Sequence, residues 1–358
     1  MLKLAARMGR AKPSAIIGCA DKAKQLKASG RDIVNFSIGV PNFLPGEHVY
    51  EAVREALKRD TGAYGSNRGR EDLLDAFLAH LRENGLDGYQ RGNLATGIGA
   101  KQVLYNLCEA LLDEGDEIVF PTPYWTSYLD IAEILGARIT LLPCPPEQNY
   151  KLTPAQLERA LASKPKVFLF NNPSNPTGMV YTRGEIAALA DVLAKHPYTW
   201  ITTDDIYNRM VYDGVGYHNF VQIRPELRER TAIVDSLSKT YGMPGWRVGF
   251  VAAPERLANA VVTLNSNHIT NLPEIVTAAG VAALTGPQDI TKEKCADFAK
   301  RRDEVLDALL SIPGVKCPRP QGAFYAFPDI SVAFGKSHDG ALIENDVDFC
   351  AALLDAKG

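Results

Sequence analysis

The chain has 358 residues, 46% hydrophobic and 23% charged, enough for two domains with ordinary buried cores and unlike a disordered or fibrous protein. Its 39 Lys and Arg against 42 Asp and Glu leave a formal charge of -3, which provides no field for gripping nucleic acid or an anionic membrane, so a small charged metabolite is the expected partner. No apolar run approaches a bilayer span, and the six scattered cysteines show no Cys-x-x-Cys pair and no histidine at ligand spacing; they read as reduced thiols of a cytoplasmic protein without a metal centre.

Near the start, Lys3, Arg7, Arg10 and Lys12 are not followed by the apolar core of a signal peptide. From about residue 46, short apolar runs alternate with stretches of helical period. The strand candidates are 117–120, 138–142, 166–170, 199–203, 232–236 and 247–252. Between them, 101–112 carries an apolar face of Val103, Leu104, Leu107 and Leu111, and 184–195 carries one of Ile186, Leu189, Ala190, Val192 and Leu193. This alternation predicts an α/β fold, a mainly parallel sheet with helices on both faces, over a large domain 46–289. A charged helix over 291–311, a Pro-rich stretch 313–320 and a strand-like 323–327 then mark a smaller α+β domain, 290–358, joined by the N-terminal segment 1–45.

Four segments place polar groups at the ends of these strands, where open α/β sheets collect ligands. Residues 96–102, T-G-I-G-A-K-Q, form a glycine-bearing turn into a helix, suited to an anion; a plain strand-to-helix turn is an equal reading, since Gln102 stands where a dinucleotide fingerprint needs glycine. Residues 171–178, N-N-P-S-N-P-T-G, are turn chemistry that also presents amides on a stiff backbone. In 202–207, T-T-D-D-I-Y, an acidic pair closes a buried strand; this is costly without a cation, proton or metal, although capping is the plain alternative. The last, S-L-S-K-T-Y-G-M-P-G-W-R-V-G over 236–249, holds Lys239 between hydroxyls with Arg247 eight positions on, as suits an amine beside a bound phosphate.

In this order, and together with Pro13-Ser14, Gly39 to Phe43 and Gly322 to Tyr325, the segments resemble the fold-type I pyridoxal 5'-phosphate (PLP) enzymes, specifically class I aminotransferases of the aspartate aminotransferase kind. The resemblance covers nearly the whole chain. It implies Lys239 as the amine that joins the cofactor as a Schiff base and then moves the substrate's proton, Asp204 as the partner of the ring nitrogen, and Asn175 and Tyr207 as donors to the phenolic oxygen. It further implies Trp125 stacked on the ring, with an ordinary core aromatic as the plainer role. The phosphate would lie between Gly99, Ala100 and Lys101 on one side and Ser236, Ser238 and Arg247 on the other. Gly39 would lie over the substrate, beside Trp125 and Asn175. Tyr64 would reach the phosphate of a neighbouring subunit, which implies a homodimer with shared sites.

The implied reaction is ping-pong transamination between an amino acid, aspartate first, and a 2-oxo acid. Family members continue into a strand bearing the arginine that grips the substrate carboxylate, and no residue here matches it, so cofactor binding is expected to survive better than turnover. A PLP-dependent lyase or synthase on the same fold shares the Lys239 chemistry. A cofactor-binding chain without turnover is the third reading; no appended helix-turn-helix points to a regulator.

Overall fold

Short apolar runs bounded by turn residues form strands when both faces can be covered, and that is how the large sheet is built. The computed structural model describes residues 3–11, 15–36, 39–60 and 62–358. Pro13-Ser14 of the resemblance therefore lie outside the described residues, as does the side chain of Cys19. Seven strands, β1 (Leu94–Ile98), β2 (Glu117–Thr122), β3 (Arg138–Pro143), β4 (Val167–Asn171), β5 (Trp200–Asp204), β6 (Thr231–Ser236) and β7 (Val248–Ala252), form one sheet in the order β1-β7-β6-β5-β4-β2-β3. The pairs from β3 through β6 are parallel, and β7 runs against both β6 and β1. The mainly parallel α/β sheet read from the sequence is thus what the chain forms.

The helices cover both faces. On one, Val103, Leu104 and Leu107 of the helix Gly99–Leu111 pack on Ile118, Phe120, Ala232, Val234 and Val251. On the other, Leu73, Phe77 and Leu81 of the helix Glu71–Glu83 pack on Ile233, Val248 and Phe250, with the Phe77 and Phe250 rings stacked 4.3 Å apart. Along β6 the side chains alternate between these two cores, as the two-residue period of a strand requires, so every residue of the strand is buried. Thr153 with Gln156, and Thr182 with Glu185, form capping boxes that start the helices Pro154–Leu161 and Arg183–Lys195.

Two expectations need correction. Residues 94–98, absent from the strand candidates, are the edge strand β1, and the helix begins directly at Gly99 and not at 101, so the glycine run is the strand-to-helix junction itself. Gly97 pairs with Gly249 in β7, and a methyl group on Gly249 would strike the backbone of Gly99 and Ala100. The glycines are there so that the helix can begin against the sheet itself, and their low hydropathy hides the strand. Residues 323–327 are not a strand: Ala323 adopts a left-handed φ of 55°, which breaks an extended run, and the isolated bridges nearby lie outside it, Gly322 to Val211 and Asp329 to Lys316. The charged helix expected at 291–311 is Asp289–Leu310. The last helix, Asp346–Lys357, meets the N-terminal segment, where Lys22 pairs with Asp355 at 3.1 Å and Arg31 donates to the Asp355 carbonyl at 2.8 Å. Among the described residues no helix is long and apolar enough to cross a membrane.

Candidate active site

Because β1, β4, β5 and β6 point the same way, their carboxyl ends meet at one edge, and the amino end of β7 returns there. The four polar segments emerge at this edge. Gly99 has a φ of +77°, and a methyl group on it would lie 2.5 Å from the Arg247 guanidinium. The helix Gly99–Leu111 has no side-chain N-cap and no acidic residue in its first turn, so its leading N–H groups face the edge together with Arg247. Arg247, itself left-handed at φ 59°, donates to the carbonyls of Ile98 at 3.1 Å and Pro244 at 3.0 Å. Opposite them, Ser236 ends β6; its hydroxyl lies 2.7 Å from that of Ser238 and accepts from the Ser238 N–H at 3.0 Å.

Lys239 follows on the same short turn. Its ammonium donates to the Gly39 carbonyl at 2.6 Å, which brings the N-terminal segment over the site. Burial lowers its pKa to about 8, opposed by the charge of Asp204 and assisted by that of Arg247. Asp204, the last residue of β5, is 3% exposed. Burial raises its carboxyl to about 6, even though the Tyr128 hydroxyl donates to it at 2.6 Å. A buried carboxylate held by one phenol and, at 3.4 Å, by the Ile206 N–H, with the charge of Lys239 acting on it, is set to receive a positive group.

Beside this pair, Tyr207 and Tyr325 share a hydroxyl–hydroxyl bond of 2.6 Å, and the Asn175 amide reaches the Tyr325 oxygen at 3.4 Å. Burial pushes the Tyr207 phenol well above its usual range and the Tyr325 phenol up to about 12, so both remain donors at neutral pH. Asn171 holds the Asn175 turn: its oxygen accepts from the Asn175 N–H, and its amide donates to the Asp204 carbonyl, each at 2.7 Å. Trp125 stands edge-on to Tyr128, 5.5 Å between centroids, with the Lys101 ammonium 4.9 Å from its ring centre. Burial and Arg247 both hold Lys101 below its usual range, against the pull of Asp130.

The residues singled out in the sequence thus lie at or around one edge, with one exception. Tyr64 is 89% exposed and borders a separate cavity of about 710 Å³ with Arg59, Asp60, Arg70 and Asn271. Two functional neighbours escaped the sequence reading. Tyr128 sits three residues after Trp125, one turn along, and only the fold brings it to Asp204. Tyr325 belongs to the segment 322–325 that was noticed, but nothing local marks its hydroxyl as a partner of Tyr207.

An amine with a lowered pKa, an uncompensated carboxylate, a cluster of phenol and amide donors and an anion cup fit the covalent handling of a phosphorylated aromatic carbonyl compound. Comparison with known proteins agrees. The family model for aminotransferase class I and II matches residues 31–358. The chain is 40% identical over 360 residues to the aspartate/prephenate aminotransferase of Cereibacter sphaeroides, covering 100% of this chain and 90% of that one. The crystal structure of the aspartate aminotransferase from Rhizobium meliloti superposes with a TM-score of 0.94 at 36% identity, over 99% of this chain and 89% of the other. The Thermus thermophilus aspartate aminotransferase with maleate gives 0.87 at 31% identity, over 93% and 86%. Fold and sequence define an α/β transferase of fold type I that moves amino groups. The chain belongs to the aminotransferase class I and II family, whose members use PLP.

Proposed function

We propose that Lys239 carries PLP and that the chain transaminates an aspartate-like amino acid with a 2-oxo acid such as 2-oxoglutarate. The observation that carries this is the facing of Lys239 and Asp204, an amine and a buried carboxylate that each feel the other's charge at the ends of adjacent strands. The rest of the donor set fits the cofactor. Ser236, Ser238, Arg247 and the N–H groups of Gly99, Ala100 and Lys101 suit a phosphate, and Asn175 and Tyr207 suit a phenolic oxygen.

When bound, the cofactor supplies an aldehyde to receive the amino group and a ring that withdraws electrons from the substrate's Cα. Lys239, with its pKa near 8, has enough neutral amine close to neutral pH to take the Cα proton and return it. Asp204 would pair with the ring nitrogen and keep it protonated, a pairing that would offset part of the cost of its buried charge. Asn175 and Tyr207 would donate to the phenolic oxygen, Trp125 would cover the ring face, and Gly39, Trp125 and Asn175 would border the substrate. The aspartate assignment rests on the names of the similar enzymes and on the dicarboxylate maleate in one of their structures.

We also infer a homodimer in which Tyr64 completes the partner's phosphate site, an inference its exposure supports. The division into 46–289 and a small domain of 290–358 with 1–45 is likewise proposed, on the contacts of Lys22 and Arg31 with the last helix. So is the cytoplasm as its compartment, on the scattered cysteines.

Mixing the protein with aspartate alone should shift the absorbance of the bound cofactor and release one oxo acid per site, and adding 2-oxoglutarate should restore the first spectrum. No spectral change with any common amino acid would reject transamination, and ammonia with pyruvate in the absence of an acceptor would point to a lyase.

A further inference from the structure

Behind the site, on the face of β6 away from the helix Gly99–Leu111, a buried carboxylate gathers three partners from three segments. Asp235 is 4% exposed, His80 5% and Asn208 4%. One Asp235 oxygen accepts from the Ser236 N–H at 2.6 Å; the other accepts from the Asn208 amide at 2.7 Å and lies 2.9 Å from His80 Nε2. Ser236 opens the turn that holds Ser238 and Lys239. Asn208 closes the turn that holds Asp204 and Tyr207, where its N–H bonds the Asp205 carbonyl. His80 comes from the helix Glu71–Glu83 and is fixed by stacking on Phe77, 5.8 Å between centroids.

We infer that Asp235 is a positioning residue of the cofactor site, linking the turn of Asp204 and Tyr207 to the turn of Ser236, Ser238 and Lys239 and anchoring both to His80. This rests on the proposed cofactor reading and adds to it a residue that touches neither cofactor nor substrate. Parallel neighbours β5 and β6 pair up to Asp204 and Val234, and the last backbone bond between them runs from the Asp205 N–H to the Val234 carbonyl at 2.9 Å; past these residues the ladder no longer holds the two turns in register. The Asp235 side chain continues the connection where the ladder stops. Asn208 depends on it, because its own Oδ1 is buried without a hydrogen-bond partner. An apolar side chain would fill the same space at less desolvation cost, so a charged one here is explained by what it orients. The negative charge also acts on its neighbours, raising the carboxyl of Asp204 in the same direction as burial does.

The test uses the full chain in four forms: unaltered, Asp235→Ala, Asp235→Asn, and the exchange variant Asp235→Asn with Asn208→Asp, which restores a carboxylate–amide link with its members swapped. Each is titrated with PLP by absorbance and melted with and without it. By analogy with metal sites, where losing an outer-shell partner typically costs about 10- to 100-fold in affinity, Asp235→Ala should raise the Kd for PLP by about that much and shrink the PLP-induced rise in Tm. The exchange variant should recover a clear part of both. A purely structural role would lower Tm equally with and without PLP and leave Kd unchanged, which overturns the inference. So does an exchange variant no better than Asp235→Asn alone, the form to use if Asp235→Ala does not fold. If the unaltered chain fails to bind PLP, the cofactor reading itself falls, and that outcome is separate from the others.

Discussion

Single side chains at the sheet edge carry charges in places that cost free energy until a ligand arrives. Lys239 has its pKa lowered to about 8 by burial, so its rate of combining with PLP should rise with pH around a midpoint near 8, well below an ordinary lysine. Stopped-flow absorbance between pH 6 and 10 measures it, and a midpoint above 10 would contradict the assignment. Asp204 makes the opposite case. Folded, it keeps its proton up to about pH 6; unfolded, only up to about 3.8. The folded state therefore binds more protons across that window, and the cofactor-free protein loses stability there as pH climbs, on the order of 3 kcal/mol from this group. Asp204→Asn should remove that loss. Denaturant melts of both forms from pH 4 to 7 should show the variant gaining relative stability up to about pH 6 and levelling off above, and a constant difference would contradict it. Tyr128→Phe deletes the one phenol bond to this carboxylate, so it should move the same transition to higher pH.

Elements place these residues, and here the sequence was readable in part. β4, β5 and β6 announce themselves as apolar runs ending in polar residues, because both faces of a central parallel strand are buried. β1 does not, since L-A-T-G-I gives up side chains so that the following helix can lie close to β7. Gly249→Ala should accordingly push that helix off the sheet and cost about 1–3 kcal/mol, the range for overpacking a filled core. Gly245→Ala, with nothing within 4 Å of the added methyl, should be close to neutral. Thermal melts of the two variants check the contrast, and equal effects would remove the explanation for the glycine pair. The contacts of Tyr128, Tyr325, Asp235 and His80 were not legible, because their partners lie 76, 118 and 155 residues away and no local pattern encodes a hydrogen bond across that distance. What could be read were segments whose spacing is itself the motif, as around Lys239.

At the scale of the whole molecule, the proposed homodimer would share each site between two subunits, with Tyr64, exposed on its own chain, as the residue that would cross. A chain with Lys239→Ala and a chain with Tyr64→Ala should each have low activity. In a mixed dimer one site combines the intact Lys239 of one subunit with the intact Tyr64 of the other, while the second site carries both defects. Refolding the two variants together should therefore restore up to half the activity of each mixed dimer. No recovery, with mixed dimers demonstrated by differential tagging, would place both residues in one chain's own site.

The proposed chemistry depends most on the identity of the amine that bears the cofactor. Borohydride reduction of the PLP-loaded protein, followed by digestion and mass spectrometry, should find the pyridoxyl group on the peptide containing Lys239. Its recovery on Lys101, the other lysine at this edge, or on any other lysine would contradict it.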